Sequence, residues 1–126
     1  MTLSAHDEML ALLRGLGLTV HDGAVPAQPA YPYVLVGHRV SRPVDRALAR
    51  ARHGRRVSWL LTLAGLSAES VHVLAEACER LEGARLQGQR VEVETAVADL
   101  QTDDQTAPDG AVVHFAKLTA SATLPA

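Results

Sequence analysis

The chain lacks the features that usually mark a secreted, disulfide-stapled or membrane-spanning protein. Its single cysteine, Cys78, excludes an internal disulfide and suits a reducing compartment. The uncharged apolar run at residues 57–68 is too short to cross a bilayer. His6, Asp7 and Glu8 interrupt the first apolar stretch, so no signal peptide is expected. We therefore expect a soluble protein that is made inside the cell.

Aromatic residues are also scarce. Only Trp59, Phe115 and two tyrosines occur in 126 residues, although 48% of the chain is hydrophobic. The core is therefore expected to consist mainly of leucine, valine and alanine. A chain of this length is long enough to bury one ordinary core, so residues 1–126 are predicted to form a single domain. A core of small side chains favours further burial by oligomerisation.

Hydrophobic periodicity predicts two helices and a set of strands. The helices are expected at residues 4–14 and from an N-cap at Ser67 to a stop at Gly83. Val34, Val36 and Val40 are expected to share one face of a strand. The order of elements predicts an α+β fold, in which two helices pack on one mainly antiparallel sheet of four to five strands. The predicted strands cover residues 18–20, 33–40, 57–66, 90–98 and 111–122, and a polar loop is predicted for residues 101–110.

Residue types that carry catalysis or bind metals are scattered along the chain. Glu69, His72 and Glu76 share a helix face, but a metal site needs a third protein ligand and a second shell, so a solvated face is the preferred interpretation. Cys78 lies on the apolar stripe of the second helix and is predicted to be a buried structural thiol. No nucleophile elbow, phosphate-binding loop or calcium loop is recognisable. We expect no enzymatic activity, catalytic residue, cofactor or bound metal.

Arginine is the one residue type that is concentrated. Seven of the eleven arginines fall within residues 39–56 beside a single acid, Asp45, so this segment has a formal charge of +6. The whole chain has a charge of −2, and the remainder therefore carries −8. The planar guanidinium group suits carboxylate or phosphate partners. The seven are Arg39, Arg42, Arg46, Arg50, Arg52, Arg55 and Arg56.

Three interpretations of this arginine segment stay open at the level of the sequence. It is a solvated loop, a contact for nucleic-acid phosphates, or a docking site for acids on a neighbouring subunit. A contact between the arginines and acids of two copies would be heterologous and would close into a ring if the rotation allowed. The predicted partner-binding residues are Arg42, Arg46, Arg50, Arg52, Arg55 and Arg56. The predicted complementary acidic surface contains Glu92, Glu94, Asp103, Asp104 and Asp109.

The order of these features resembles the tail terminator, or tail completion, proteins of long-tailed bacteriophages, particularly the divergent forms in phages of actinobacteria. A short helix precedes "LTVHDGAVPAQPAYPYVLVG", a charged excursion and the apolar strand "VSWLLTLAGLS". The helix "AESVHVLAEACERLEGARL", the segments "QRVEVETA" and "QTDDQTAPDG", and the closing strand "AVVHFAKLTASA" then follow. The resemblance runs over most of the chain and rests on this joint order rather than on a single motif.

The resemblance implies a non-enzymatic structural protein of the virion tail and neck, assembled in the host cytoplasm. Family members form a hexameric ring on the head-proximal end of the tail tube, where the ring ends tube polymerisation and joins the tail to the head. The implied partners are other copies of the chain, the tail tube protein and the head-tail connector protein. Non-specific contact with DNA passing through the ring is also implied, and no membrane is involved.

Three alternatives remain. A head-tail connector or head-closure protein would also be small, ring-forming and without catalytic residues. A stand-alone nucleic-acid-binding protein would use the arginine segment and show salt-dependent duplex binding. A ligand-binding domain of ferredoxin-like type would share the mixture of two helices and a sheet, but it would need a pocket with convergent polar groups.

Overall fold

The structure is a computed structural model that describes residues 4–43, 54–94, 102–107 and 109–124. Helix α1 spans Ala5–Gly15 and helix α2 spans Ala68–Cys78, followed by a 3₁₀ turn at Glu79–Leu81. Ser4 and Ser67 cap the two helices by accepting backbone N–H groups, which confirms the predicted cap at Ser67. The second helix differs in its end, because its last turn before Gly83 tightens to 3₁₀ geometry. The strands are β1 Val20–Asp22, β2 Tyr33–Pro43, β3 Arg55–Gly65, β4 Arg85–Leu86, β5 Gln89–Arg90, β6 Glu92–Val93, β7 Asp103–Thr106 and β8 Val112–Leu124.

Six of the strands form one mixed sheet. The order is β1-β2-β3-β8, and both β6 and β7 pair with the edge of β8 that faces away from β3. Only β1 and β2 run parallel, and all the other neighbours are antiparallel. The α+β class and the mainly antiparallel sheet are therefore confirmed, but the predicted four to five strands become six. The short strands β4 and β5 form a separate two-stranded ribbon.

The core lies between one face of this sheet and the two helices. Trp59, Leu61 and Leu63 alternate along β3 and are at most 1% exposed, which confirms the predicted buried face of this strand. Small residues of β8 continue the same face, so the helices approach the sheet closely there. The helices contribute Met9, Leu10, Leu13, Val71, Leu74, Ala75 and Cys78 to this core.

The predicted shared face of Val34, Val36 and Val40 is wrong at its last member. Val34 and Val36 are fully buried, but Val40 is 46% exposed. The pairing register between β2 and β3 shifts between Val36 and Arg39, and this extra residue turns the rest of β2 over. Beyond the shift, Arg39 lies opposite Trp59 on the helix-covered face, and Val40 lies on the other face.

Two further boundaries differ from the expectation. The predicted polar loop at residues 101–110 contains strand β7, whose four residues are all exposed. Backbone hydrogen bonds to β8 hold this edge strand, so it needs no apolar side chains. Its polar sequence therefore lacks the hydrophobic alternation by which a strand is predicted. The predicted strand at residues 90–98 is divided at Val91 between the ribbon and β6, and residues 95–98 lie outside the described part of the chain.

Candidate interaction surface

The arginine segment runs from the end of β2 to the start of β3. β2 and β3 pair antiparallel as far as Pro43, which lies opposite Arg55, and Arg42 lies opposite Arg56. The segment therefore follows the end of a long hairpin, at the opposite end of β3 from helix α2. Arg46, Arg50 and Arg52 lie outside the described residues.

Arg56 binds acids of its own chain. One of its terminal nitrogens donates to Glu92 at 2.7 Å, to Glu94 at 3.1 Å and to the hydroxyl of Ser121 at 2.7 Å. The other donates to Thr123 at 3.3 Å. These contacts join β3, β8 and the end of β6 on the sheet face that the helices do not cover. We call Arg56, Glu92, Glu94 and Ser121 the Arg56 cluster.

Ser121 is the centre of the Arg56 cluster. It is fully buried, and its hydroxyl donates to Glu94 at 2.8 Å while it accepts from Arg56. The hydrogen bonds from Ser121 and Arg56 lower the pKa of Glu94. The bond to Glu92, followed by that to Glu94, raises the pKa of Arg56. These contacts therefore favour the charged forms of Arg56 and Glu94.

Arg55 is also satisfied within the chain. Its Nε donates to the hydroxyl of Ser41 at 2.6 Å, and one terminal nitrogen donates to the backbone carbonyl of Ser41 at 3.1 Å. This pair of bonds spans the two strands of the hairpin near its end. Arg55 and Arg56 are therefore both bonded within the chain at the end of the β2–β3 hairpin.

Arg39 and Arg42 differ from their two neighbours. Both are exposed on β2, and neither has a hydrogen-bond or ion-pair partner among the described residues. Arg42 lies near enough to Glu94 to contribute to the lowering of its pKa. It also lines an open cavity of about 550 Å³ on the uncovered sheet face, together with Val40, Ser58 and Thr119. Arg39 and Arg42 are therefore available to a partner.

The predicted acidic surface divides into three parts. Glu92 and Glu94 lie beside Arg56, as described above. Asp109 accepts the backbone N–H of Ala111 at 3.0 Å and so stabilises the turn before β8. Asp103 and Asp104 are exposed on β7, and neither has a partner among the described side chains.

A second feature of the uncovered face is a small aromatic cluster at the other end of the sheet. The rings of Tyr31 and Tyr33 lie 5.5 Å apart, and His21 meets Tyr33 edge-on at 5.4 Å. Tyr33, Ala64 and Val113 form its buried centre. The uncovered face therefore has an apolar end and a charged end.

Neither the role of Ser121 nor the polar link between α1 and the sheet is predicted by the sequence. In that link the indole N–H of Trp59 donates to Nδ1 of His6 at 3.2 Å, and His6 meets Asp22 at 2.8 Å through Nε2. Because an indole can only donate, Nδ1 of His6 is the acceptor, and Nε2 carries the proton. The alternation along the last strand places Ser121 on the face away from the helices. Beyond that, the sequence carries no signal for Ser121 or for the link through His6.

The described residues include the candidate metal ligands on α2 and the cysteine. Within the described ranges, no three His, Cys, Asp or Glu side chains come together in a way that could hold a metal ion. Cys78 is 1% exposed, as predicted, and burial raises the pKa of its thiol to about 12, so it is a neutral core side chain at physiological pH. No helix in the described part of the chain has the length and apolar character needed to cross a membrane.

Comparisons with known proteins give one informative likeness. No protein-family model matches this chain, and no curated protein matches it. The fold is similar to that of a chain in a solved structure described as "Virion of native gene transfer agent (GTA) particle". The TM-score is 0.58 at 16% identity, and the alignment covers 98% of this chain and 92% of that chain. At this identity the likeness shows a shared fold over nearly the full length of both chains.

Proposed function

We propose that this chain is a structural subunit of a phage-like virion, which forms a ring at the head-proximal end of the tail tube, ends tube polymerisation and joins the tail to the head. The observation that carries the proposal is the likeness, over 98% of the chain, to a chain of a virion particle. The order of sequence features that resembles tail terminators supports it independently. Fold alone does not define function, so a direct test is needed.

The surface of the chain is consistent with this role. Four arginines, Arg39, Arg42, Arg55 and Arg56, lie near the end of the β2–β3 hairpin. Arg39 and Arg42 have no partner within the described chain and would meet acids of another subunit. A protein that assembles through such charges needs no cofactor and no catalytic residue.

The decisive experiment is electron microscopy of lysates from a particle producer that lacks this gene. Tails of excessive and variable length beside separate DNA-filled heads would support the terminator. Tails of normal length beside unjoined heads would instead place the ring on the head side, as a connector or head-closure protein. Normal particles would overturn both versions. Expression of the wild-type chain in trans should restore joined particles and serves as the control.

The arginine segment can be tested in the same complementation assay. We expect the double substitution Arg50→Glu/Arg52→Glu to abolish particle joining. The matched control is Arg14→Glu/Arg80→Glu, which reverses two exposed arginines on the helical side of the molecule and should leave joining intact. Joining that survives the first pair would mean that these arginines do not dock the ring.

A charge-preserving pair separates a protein partner from DNA. Lysine keeps the positive charge but loses the planar donor fork that binds a carboxylate with two hydrogen bonds. If Arg50 and Arg52 contact protein acids, as we propose, Arg50→Lys/Arg52→Lys should reduce joining severely. If they attract DNA passing through the ring, the lysine pair should retain most of the function, and the docking role would be wrong.

A further inference from the structure

The two edges of the six-stranded sheet carry opposite charges. At one edge, β1 pairs only with residues Val34, Leu35 and Val36, so the rest of β2 has no neighbour on that side among the described strands. This free stretch carries Arg39 and Arg42, both exposed and unpartnered within the described chain. We call it the basic edge.

The opposite edge is formed by β6 and β7, which pair with the same side of β8. These two strands contain Glu92, Asp103 and Asp104 and no basic residue. Arg56 binds Glu92 and Glu94 at the β6 end, whereas the two aspartates of β7 remain exposed and unpartnered within the described chain. We call β7 the acidic edge.

Exposed edges of a sheet present unpaired N–H and C=O groups that can join another chain. Two basic edges repel each other, as do two acidic edges, so the charges oppose a two-fold symmetric pairing of like edges. A basic edge and an acidic edge attract. The charge pattern therefore selects one pairing among the three that are possible between copies.

We infer that the basic edge of one copy pairs with the acidic edge of the next, so that the sheet continues from subunit to subunit. This inference rests on the proposed ring and names the surface that would close it. The contact is heterologous, since each copy offers a different edge to each neighbour. Such contacts form a ring when the rotation between copies closes, and an open filament when it does not.

The faces of the two strands also match. Arg39 lies opposite Trp59 on the helix-covered face, and Arg42 shares the uncovered face with Arg56. On β7, Asp104 lies opposite His114, and Asp103 lies opposite Phe115, again one on each face. Each face of the joined sheet would therefore receive one arginine and one aspartate. Val40 is 46% exposed at the basic edge, and the same contact would bury part of its apolar surface.

Charge-swapped variants of the purified chain test this pairing by sedimentation and by mass measurement of the assembly. Arg39→Glu/Arg42→Glu makes both edges acidic, and Asp103→Arg/Asp104→Arg makes both edges basic. Each variant alone should associate more weakly, by about tenfold for each reversed charge pair. Mixed together, the two variants should reassemble, because every contact then joins an acidic edge to a basic one.

The recovery in the mixture separates edge pairing from misfolding, because a misfolded variant cannot restore a partner. The control pair, Arg14→Glu/Arg80→Glu, should assemble like the wild type. Hydrogen exchange supplies a backbone readout: those amides of residues 39–42 that point away from β3 should be protected in the wild-type assembly and exposed in the separated variants. Two results would overturn the inference: a wild-type chain that stays monomeric at its highest soluble concentration, or variants whose mixture does not reassemble.

The outcome is independent of the experiment on particles. A chain that assembles through its edges but leaves virions unaffected when deleted would refute the proposed function and keep the interface. A chain that is required for joined particles but fails the charge swap would keep the function and refute the interface.

Discussion

Replacing Arg56 by alanine should destabilise the folded chain, whereas replacing its cross-strand neighbour Arg42 should not. Both arginines belong to the same charged segment and lie opposite each other on β2 and β3. Arg56, however, donates to Glu92, Glu94 and the buried Ser121, and Arg42 has no bonded partner among the described residues. The pair of variants therefore compares an arginine that is bonded across three strands with one that is not bonded to any described residue.

The expected magnitude follows from how much of each side chain water reaches. Arg56 is 36% exposed, Glu94 41% and Glu92 52%, so solvent screening reduces both ion pairs to the range of surface pairs, each below about 1 kcal/mol. The bond to Ser121 adds about 1 kcal/mol. Ser121 keeps Glu94 as its partner after the substitution, so no buried hydroxyl is orphaned. We expect a loss of about 1–2 kcal/mol, or a drop in Tm of about 5 °C.

The pH dependence gives the same prediction a second readout. The folded-state pKa of Glu94 is lowered from an ordinary value of 4.5, so its contribution is present above that value and disappears as the pH falls through the lowered pKa. The difference between wild type and Arg56→Ala should therefore shrink in acid. The measurement is thermal unfolding of both variants in dilute solution, from neutral pH to about pH 3.

Three results would refute this reasoning. The first is an Arg56→Ala chain as stable as wild type, and the second is an Arg42→Ala chain that is equally damaged. The third is a gap that persists unchanged in acid, since the carboxylates would then not be responsible for it. Added salt should narrow the gap modestly, because part of each ion pair is exposed.

Three further substitutions or probes test the core. His6→Ala should cost about 1–3 kcal/mol in chemical unfolding, because the buried indole N–H of Trp59 loses its acceptor; a neutral effect would refute that bond. Gly65→Ala should cost about 1–3 kcal/mol, since its Cβ would collide with Ser70 Oγ, and Ser70→Gly in the same chain should relieve part of the loss. Cys78, with a pKa raised to about 12, should react with a thiol reagent only on unfolding, and rapid native labelling would contradict its burial.

The sequence predicts an element well where a clear hydrophobic periodicity is bounded by a residue that ends or caps the element. The apolar alternation that ends at Gly65 and the stripe that follows Ser67 predict β3 and α2 within a few residues. In both cases, side chains that must leave water determine the backbone period. The same logic predicts the burial of Cys78 from its place on the stripe.

The errors occur where backbone pairing, not side-chain burial, decides the structure. Strand β7 has four polar residues, and only its hydrogen bonds to β8 make it a strand. The register shift in β2 moves Val40 to the other face, and its local signal is limited to Gly37, a glycine inside the strand next to the shift. Pairing partners are distant in the sequence, so a single sequence does not contain this information.

The Arg56 cluster changes how the charge of the arginine segment should be counted. The sequence alone assigns six of the segment's seven arginines to a partner, but Arg55 and Arg56 are bonded to Ser41 and to the glutamates of the same chain. These two stabilise the base of the hairpin, and at most five remain for another molecule. The same bonds occupy Glu92 and Glu94, which leaves the aspartates of β7 as the unpartnered acids of the described sheet. A partner would therefore meet fewer charges than the sequence suggests. The described ones, Arg39 and Arg42 on β2 and the aspartates on β7, lie on opposite edges of one sheet, which would give the proposed assembly its direction.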